Sequence, residues 1–256
     1  MGQDRGVLVS ARRFDAVIFD MDGVVTDTAR VHAAAWKRLF DEFLQRRAQQ
    51  EGGTFQPFDI ERDYRLYVDG RPRYDGVQAF LASRGISLPW GDPSDPPDRE
   101  TVCGLGNRKN LYFLAHIRER GVEVYPTTVE LVRRLRECGL RTAVFSASKN
   151  ATEVLQAAGV LSLFEVKVDG RDAEALGLPG KPDPAMLLEA ARRLGVPPQR
   201  AVIVEDAIAG VRAGRAGGFG LVIGVDREGL RGELLASGAD AVVSDLAEVT
   251  LTDCPP

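Results

Sequence analysis

The spacing of hydrophobic and polar positions changes along the chain in a regular way. Phe14–Phe19 is a short run of Val, Ile and Phe that ends in Asp20, as a strand buried on both faces would. Three later runs read alike: "LRTAVFS" (Leu140–Ser146), "RAVIVED" (Arg200–Asp206) and "FGLVIGV" (Phe219–Val225). "DAVVSD" (Asp240–Asp245) is a fainter fifth. Between them the apolar positions take helical spacing. "TTVELVRRLRECG" sets Leu131 and Leu135 on one face and puts Thr127 three residues before Glu130, a capping-box spacing. "KNATEVLQAAG" repeats the device with Asn150 and Glu153 and stops at Gly159, and "DPAMLLEAARRLG" aligns Met186, Leu187, Ala190 and Leu194. Strands alternating with single helices predict a Rossmann-like, doubly wound α/β fold with a parallel sheet. Ligands in such sheets bind beyond the carboxyl ends of the strands, where Asp20, Ser146 and Asp206 fall.

Residues 31–124 break this rhythm. Trp36, Leu39, Phe40, Phe43 and Leu44 form one helical stripe, and Gly52-Gly53 ends it. Then come "YVDGRPRYDGVQAFLASRGI", a Pro/Asp-rich loop "LPWGDPSDPPDRE" and "GNRKNLYFLAHIRERG". The pattern predicts a mostly α-helical second domain over 31–124, inserted after the first strand of a core made of 1–30 and 125–256.

Composition narrows the partners. A chain of 256 residues with formal net charge -4 carries no electrostatic footprint for nucleic acid or an anionic membrane, so neither is expected as a partner. No apolar run approaches the ~20 residues of a membrane span. The start, "MGQDRGVLVS", lacks a signal-peptide core, so a cytoplasmic location is expected. Cys103, Cys138 and Cys254 are odd in number, far apart and without a CxxC pair, which argues against a disulfide framework or a zinc site. With only His32 and His116, in dissimilar contexts, a histidine-based metal or triad site is not expected.

The acids at the strand ends change the picture more. Asp20-Met21-Asp22-Gly23 alone reads equally as a turn. Glu205-Asp206, directly after "AVIV", repeats the arrangement. Four carboxylates converging on one sheet edge repel unless a divalent cation sits among them, and oxygen-only ligands point to Mg²⁺. Ser146 at the start of a helix reads alone as an ordinary cap and Lys181, on a loop before Pro184, as a solvated lysine, while the alternative is an anion site and a point charge suited to phosphate.

Taken in order, these signals resemble the haloacid dehalogenase-type phosphotransferases. That superfamily carries DxDGxxxDT, a strand ending in Ser or Thr, a Lys and an acidic pair, and "FDMDGVVTDT" matches the first motif in full. "DGVVTDTARVHAAAWK", "YVDGRPRYDGV", "GNRKN" and "SASKN" are similar to the β-phosphoglucomutase-like subgroup, whose insertion is a mobile helical cap. The resemblance implies Asp20 as nucleophile and Asp22 as general acid and base. Ser146 and Lys181 would hold the transferring phosphoryl group. Mg²⁺ would be held by Asp20, the Asp22 carbonyl, Asp206 and the adjacent Glu205. Gly70, Arg71 and Arg73 would grip the non-reacting phosphate, and Ser148, Lys149 and Asn150 would lie near the substrate. Thr28 and His32 would sit at the hinge into the cap, although helix packing explains His32 equally well. The activity implied interconverts β-glucose 1-phosphate and glucose 6-phosphate through a bound glucose 1,6-bisphosphate. A phosphatase acting on a small phosphorylated sugar is the alternative, and a monomer is expected. A non-catalytic protein on this scaffold would need a broken nucleophile or metal set. The insertion is longer than the subgroup pattern, through the loop at 88–100.

Overall fold

The computed structural model describes residues 6–255; the first five residues of the N-terminal segment lie outside the described range. The chain forms two compact units. One holds the residues up to Asp27 together with those from Val122 onward, and the other is Thr28–Gly121.

The first unit is built on six parallel strands in the order β4-β3-β2-β5-β6-β7. They are β2 (Ala16–Asp20), β3 (Arg141–Phe145), β4 (Val166–Val168), β5 (Ala201–Glu205), β6 (Leu221–Val225) and β7 (Ala241–Val243). The central strands β2 and β5 are buried along their whole length, as their unbroken apolar runs require. Ile18 lies opposite Ala143 on one side and Ile203 on the other. Chain order reverses between β2 and β5, and a parallel sheet opens a crevice at such a point, beyond the carboxyl ends of its strands. Helices α4 (Pro126–Glu137), α5 (Ala151–Ala157), α6 (Gly170–Leu176), α7 (Ala185–Leu194), α8 (Ile208–Ala216) and α9 (Arg231–Ala236) connect the strands.

Several expectations need correction. A strand β1 (Val7–Ser10) precedes β2 and pairs in parallel with β8 (Val249–Thr252), so the insertion follows the second strand, not the first. Neither capping box forms as read. Pro126 occupies the first turn of α4, and the Thr127 hydroxyl donates to Asp245 at 3.1 Å instead. Asn150 stands at the N-cap of α5 without a side-chain cap bond, while Glu153 pairs with Arg171. Boxes form instead at Asp169/Asp172 and Asp245/Glu248. The expectation of no disulfide framework also meets an exception, because Cys138 and Cys254 form a disulfide. They are 116 residues apart in sequence, but β8 returns the chain to the end of α4 and leaves their Cα atoms 4.8 Å apart.

The second unit contains α1 (Ala29–Glu51), a π-helical turn (Tyr64–Val68), α2 (Arg73–Ser83) and α3 (Val102–Arg120). The stripe read from sequence is its core: Trp36, Leu39, Phe40 and Phe43 are buried against Phe58, Val77, Phe80 and Leu105, with Leu44 at the margin. Aromatic rings interlock there, with Phe40 and Phe80 centroids 4.1 Å apart. Gly52 ends α1 in the left-handed conformation that glycine takes without steric cost. Among the described residues no helix is long and apolar enough to cross a membrane.

Candidate active site

The segment after β2 folds back on itself. The Met21 carbonyl accepts from the Val25 and Thr26 amides, and the Gly23 amide donates to the Thr26 carbonyl at 2.8 Å. Gly23 is required twice over. Its φ is +85°, and a Cβ there would lie 1.8 Å from an Asp206 carboxylate oxygen. The missing side chain therefore lets the second acidic pair approach the first. Arg227 fastens the turn by donating to the Gly23 carbonyl at 3.0 Å, and its guanidinium lies 3.8 Å from the Tyr125 ring centroid. The Tyr125 hydroxyl donates to Asp27 at 3.0 Å, and burial, followed by that bond to a carboxylate, pushes its pKa up to about 12.

Around this turn the strand ends converge. Lys181 is buried and donates to Asp20 at 2.6 Å and to Glu205 at 2.9 Å, with its ammonium 4.6 Å from the Phe145 ring centroid. Burial disfavours the Lys181 charge, but the two carboxylates outweigh that penalty and raise its pKa. Burial pushes Asp20 up to about 6, with the Asp22 charge adding to the rise and Lys181 opposing it. Ser146, directly after β3, donates to Asp22 at 3.1 Å and accepts from the Ser148 amide at 3.0 Å. Asp20, Glu205 and Asp206 each present an oxygen within 4.8 Å of the others. Three carboxylates and no nitrogen or sulfur donor form a hard, oxygen-only set that fits Mg²⁺.

The other sequence-derived positions are more scattered. The Ser148 hydroxyl accepts from the Asn150 amide at 3.1 Å, Asn150 is buried, and Lys149 pairs with Glu174 at 2.6 Å. In the second unit Thr28 is the buried N-cap of α1, and its carbonyl accepts from the His32 amide at 2.8 Å. His32 stacks on Phe113 with centroids 4.0 Å apart, and its Nδ1 lies 2.5 Å from Lys109 Nζ. Gly70 turns the chain at φ +65° ahead of α2, and Arg71 is exposed. Arg73 donates to Asn110 at 2.9 Å, and burial lowers its guanidinium from the ordinary value.

Two residues escaped the sequence reading. Lys109 is buried between the rings of Trp36 and Phe113, 5.0 Å from each centroid, a setting that emerges only when α1 and α3 pack. Gly210 of α8 lies over Glu205, where a Cβ would meet the carboxylate at 1.9 Å. Gly210→Ala is expected to push Glu205 off Lys181 and weaken Mg²⁺ binding roughly tenfold, the usual scale for disturbing a ligand's support. Calorimetric titration checks it, and unchanged affinity would remove Glu205 from the metal set.

Acids, a serine and a lysine are thus gathered at the carboxyl edge of a parallel sheet in a doubly wound fold. Residues 14–218 match the family model described as haloacid dehalogenase-like hydrolase, and the chain belongs to that family. It is 44% identical over 246 residues to the β-phosphoglucomutase of Mycobacterium bovis, covering 95% of this chain and 94% of that one. An uncharacterized glycosyl hydrolase of Mycobacterium tuberculosis is 45% identical over 243 residues, which are 95% of this chain but 18% of that protein. Among solved structures, the β-phosphoglucomutase of Clostridium difficile superposes with a TM-score of 0.72 at 26% identity, covering 91% of this chain and 92% of that one.

Proposed function

We propose that the protein is a Mg²⁺-dependent β-phosphoglucomutase, interconverting β-D-glucose 1-phosphate and glucose 6-phosphate through an aspartyl-phosphate and glucose 1,6-bisphosphate. The observation that carries the reading is the set at the end of β2: Asp20 held by Lys181 at 2.6 Å and Asp22 held by Ser146 at 3.1 Å, in a chain 44% identical to a β-phosphoglucomutase. An Asp20 oxygen attacks the phosphorus of the bisphosphate, and the P–O bond to the sugar breaks. Asp22 gives its proton to the departing sugar oxygen. In the second half a hydroxyl of the incoming sugar monophosphate attacks the phosphorus of the aspartyl-phosphate, the bond from phosphorus to Asp20 breaks to free the carboxylate, and Asp22 takes the hydroxyl proton. A positioned acid and base of this kind is worth ~10²–10⁴ in rate. Lys181 and Ser146 hold the phosphoryl oxygens where charge builds in the transition state. Asp20, Asp206, Glu205 and the Asp22 carbonyl would hold Mg²⁺, which would supply neutralisation of phosphoryl charge.

Arg73, with Gly70 and Arg71 ahead of it, binds the phosphate that does not react, since a guanidinium meets phosphate with two parallel hydrogen bonds. Thr28, His32, Ser148, Lys149 and Asn150 are assigned to the sugar phosphate as well. The phosphatase alternative keeps Asp20 and replaces the sugar hydroxyl with water, and the match to a hydrolase family is the observation in its favour. Supplying Mg²⁺, β-glucose 1-phosphate and a trace of glucose 1,6-bisphosphate separates the two. Glucose 6-phosphate is expected to accumulate. Rapid free phosphate without glucose 6-phosphate would overturn the mutase. Arg73→Ala is expected to lower mutase kcat/KM by ~10²-fold, on the scale of a lost charge-assisted bidentate contact, and that for a small phosphate ester far less. Equal losses would mean that Arg73 does not read a second phosphate.

A further inference from the structure

The Pro/Asp-rich loop at 88–100 has a fixed shape whose anchors converge on Arg73. Its centre is Asp95, which is buried and accepts from the Thr101 hydroxyl at 2.7 Å, from Arg99 at 2.7 Å and from the Asp92 amide at 3.0 Å. Thr101 is in turn the N-cap of α3, accepting from the Gly104 amide at 2.9 Å. The loop is thus welded to the start of the helix that carries Asn110.

A second set of bonds joins the loop to the middle of α3 and to α2. Asn107 donates to the Pro93 carbonyl at 3.0 Å and the Asp95 carbonyl at 2.9 Å, and its own oxygen accepts from the Tyr74 hydroxyl at 2.9 Å. Arg108 donates to the Pro97 carbonyl at 2.6 Å. The Tyr74 ring meets Trp90 of the loop edge to face, with centroids 6.2 Å apart. Gly106 brings α2 and α3 together, since a Cβ there would lie 2.7 Å from the Tyr74 ring and 3.2 Å from Cδ of Arg73. Tyr74 is the next residue after Arg73, so whatever fixes its ring fixes the first turn of α2, from which Arg73 reaches Asn110 at 2.9 Å.

We propose that the loop at 88–100 is a brace for the Arg73–Asn110 pair, that Asn107 and Tyr74 are its positioning residues, and that through them it sets the preference for substrates bearing a second phosphate. The proposal rests on the reading of Arg73 as the group that binds that phosphate. An Arg side chain has many rotamers, and freezing one before the ligand arrives lowers the entropy lost on binding. The brace acts on KM for a two-phosphate substrate, because it orders a binding group and touches no reacting atom.

The test uses the full-length protein with Mg²⁺ and two substrates, glucose 1,6-bisphosphate as the phosphoryl donor and p-nitrophenyl phosphate. Tyr74→Phe removes one hydroxyl and leaves the ring packed. It is expected to raise KM for the bisphosphate relative to that for p-nitrophenyl phosphate by roughly 3–10-fold, the scale of one hydrogen bond. Asn107→Ala, which breaks three bonds, is expected to raise the same ratio further. Neither change should add to the loss in an Arg73→Ala background, since residues that act through one group are not additive. If Arg73→Ala raises the ratio while Tyr74→Phe and Asn107→Ala do not, or if their effects add to it in full, the brace is overturned. If Arg73→Ala itself leaves the ratio unchanged, the reading of Arg73 falls and takes the brace with it. Should Asn107→Ala fail to fold, Tyr74→Phe alone decides between these outcomes.

Discussion

With Asp20 as the proposed nucleophile, an Asp20→Asn protein is expected to keep its fold and to lose phosphoryl transfer by on the order of 10⁴-fold or more, since no other group would replace it. The amide has nearly the shape of the carboxylate but neither its charge nor its lone-pair basicity. Retention of the fold follows from the surroundings. Asp20 is buried, and burial already pushes its pKa up to about 6, so the site tolerates a neutral group there. Lys181 keeps its second partner, Glu205, at 2.9 Å. Acid quench of the wild-type protein during turnover, followed by intact mass measurement, should show a phosphate-sized adduct that the variant lacks. Mutase and phosphatase activities should fall together, because on the proposed mechanism both pass through the same aspartyl-phosphate. Turnover retained above about one part in a hundred would assign the nucleophile elsewhere.

That the same residue could be singled out from sequence has a physical cause. A parallel strand buried on both faces must be apolar throughout, so a charge at its end is conspicuous, and Asp20, Ser146 and Glu205-Asp206 all follow such runs. Lys181 was visible only through its neighbours, a glycine loop and Pro184. What escaped lies where no periodic pattern exists. Strand β1 is four residues long, with Leu8 exposed, and pairs with β8 from the other end of the chain. Strand β4 is three residues at the sheet edge. Cys138 and Cys254 meet through tertiary return, and their spacing carries no local signature.

The capping boxes show the same limit from the other side. Thr127 and Glu130 have the right spacing, but the helix starts two residues earlier than that box requires, with Tyr125 at the N-cap, and the hydroxyl finds Asp245. Local spacing identifies competent donors and acceptors without ranking their partners, and long-range contacts decide the ranking. Lys109 and Gly210 belong to this class. One is a buried cation that makes sense only against two rings and His32, and the other is an absent side chain that makes sense only against Glu205.

Lys181→Met is expected to damage both activity and stability, in a pattern that separates its two duties. The apolar chain fills the buried space beside Phe145 but leaves Asp20 and Glu205 facing each other without the cation. Removing one partner of a buried ion pair costs roughly 3–5 kcal/mol in general, far more than an exposed pair. The pH dependence gives the sign. Asp20 has its folded pKa raised above the ordinary carboxylate value, to about 6, even with Lys181 present, and removing the ammonium moves it higher still. A raised acid costs nothing below its unfolded pKa, and its cost grows from there until pH passes the folded value, so the further rise in the variant adds to the wild-type cost only above about pH 6. Denaturant unfolding in EDTA should therefore show a small deficit for the variant at pH 5 and a deficit of about 3 kcal/mol at pH 8. Excess Mg²⁺ should recover part of the pH 8 deficit, because a cation that binds only the folded carboxylates stabilises by mass action. Turnover should stay down by ~10²–10³-fold even with saturating Mg²⁺, the scale for losing one donor to the developing charge. A deficit equal at both pH values would show that the lost packing of the lysine stem, not the unpaired carboxylates, is what destabilises the variant. Turnover restored in full by Mg²⁺ would reduce Lys181 to a structural counter-ion with no hold on the phosphoryl group.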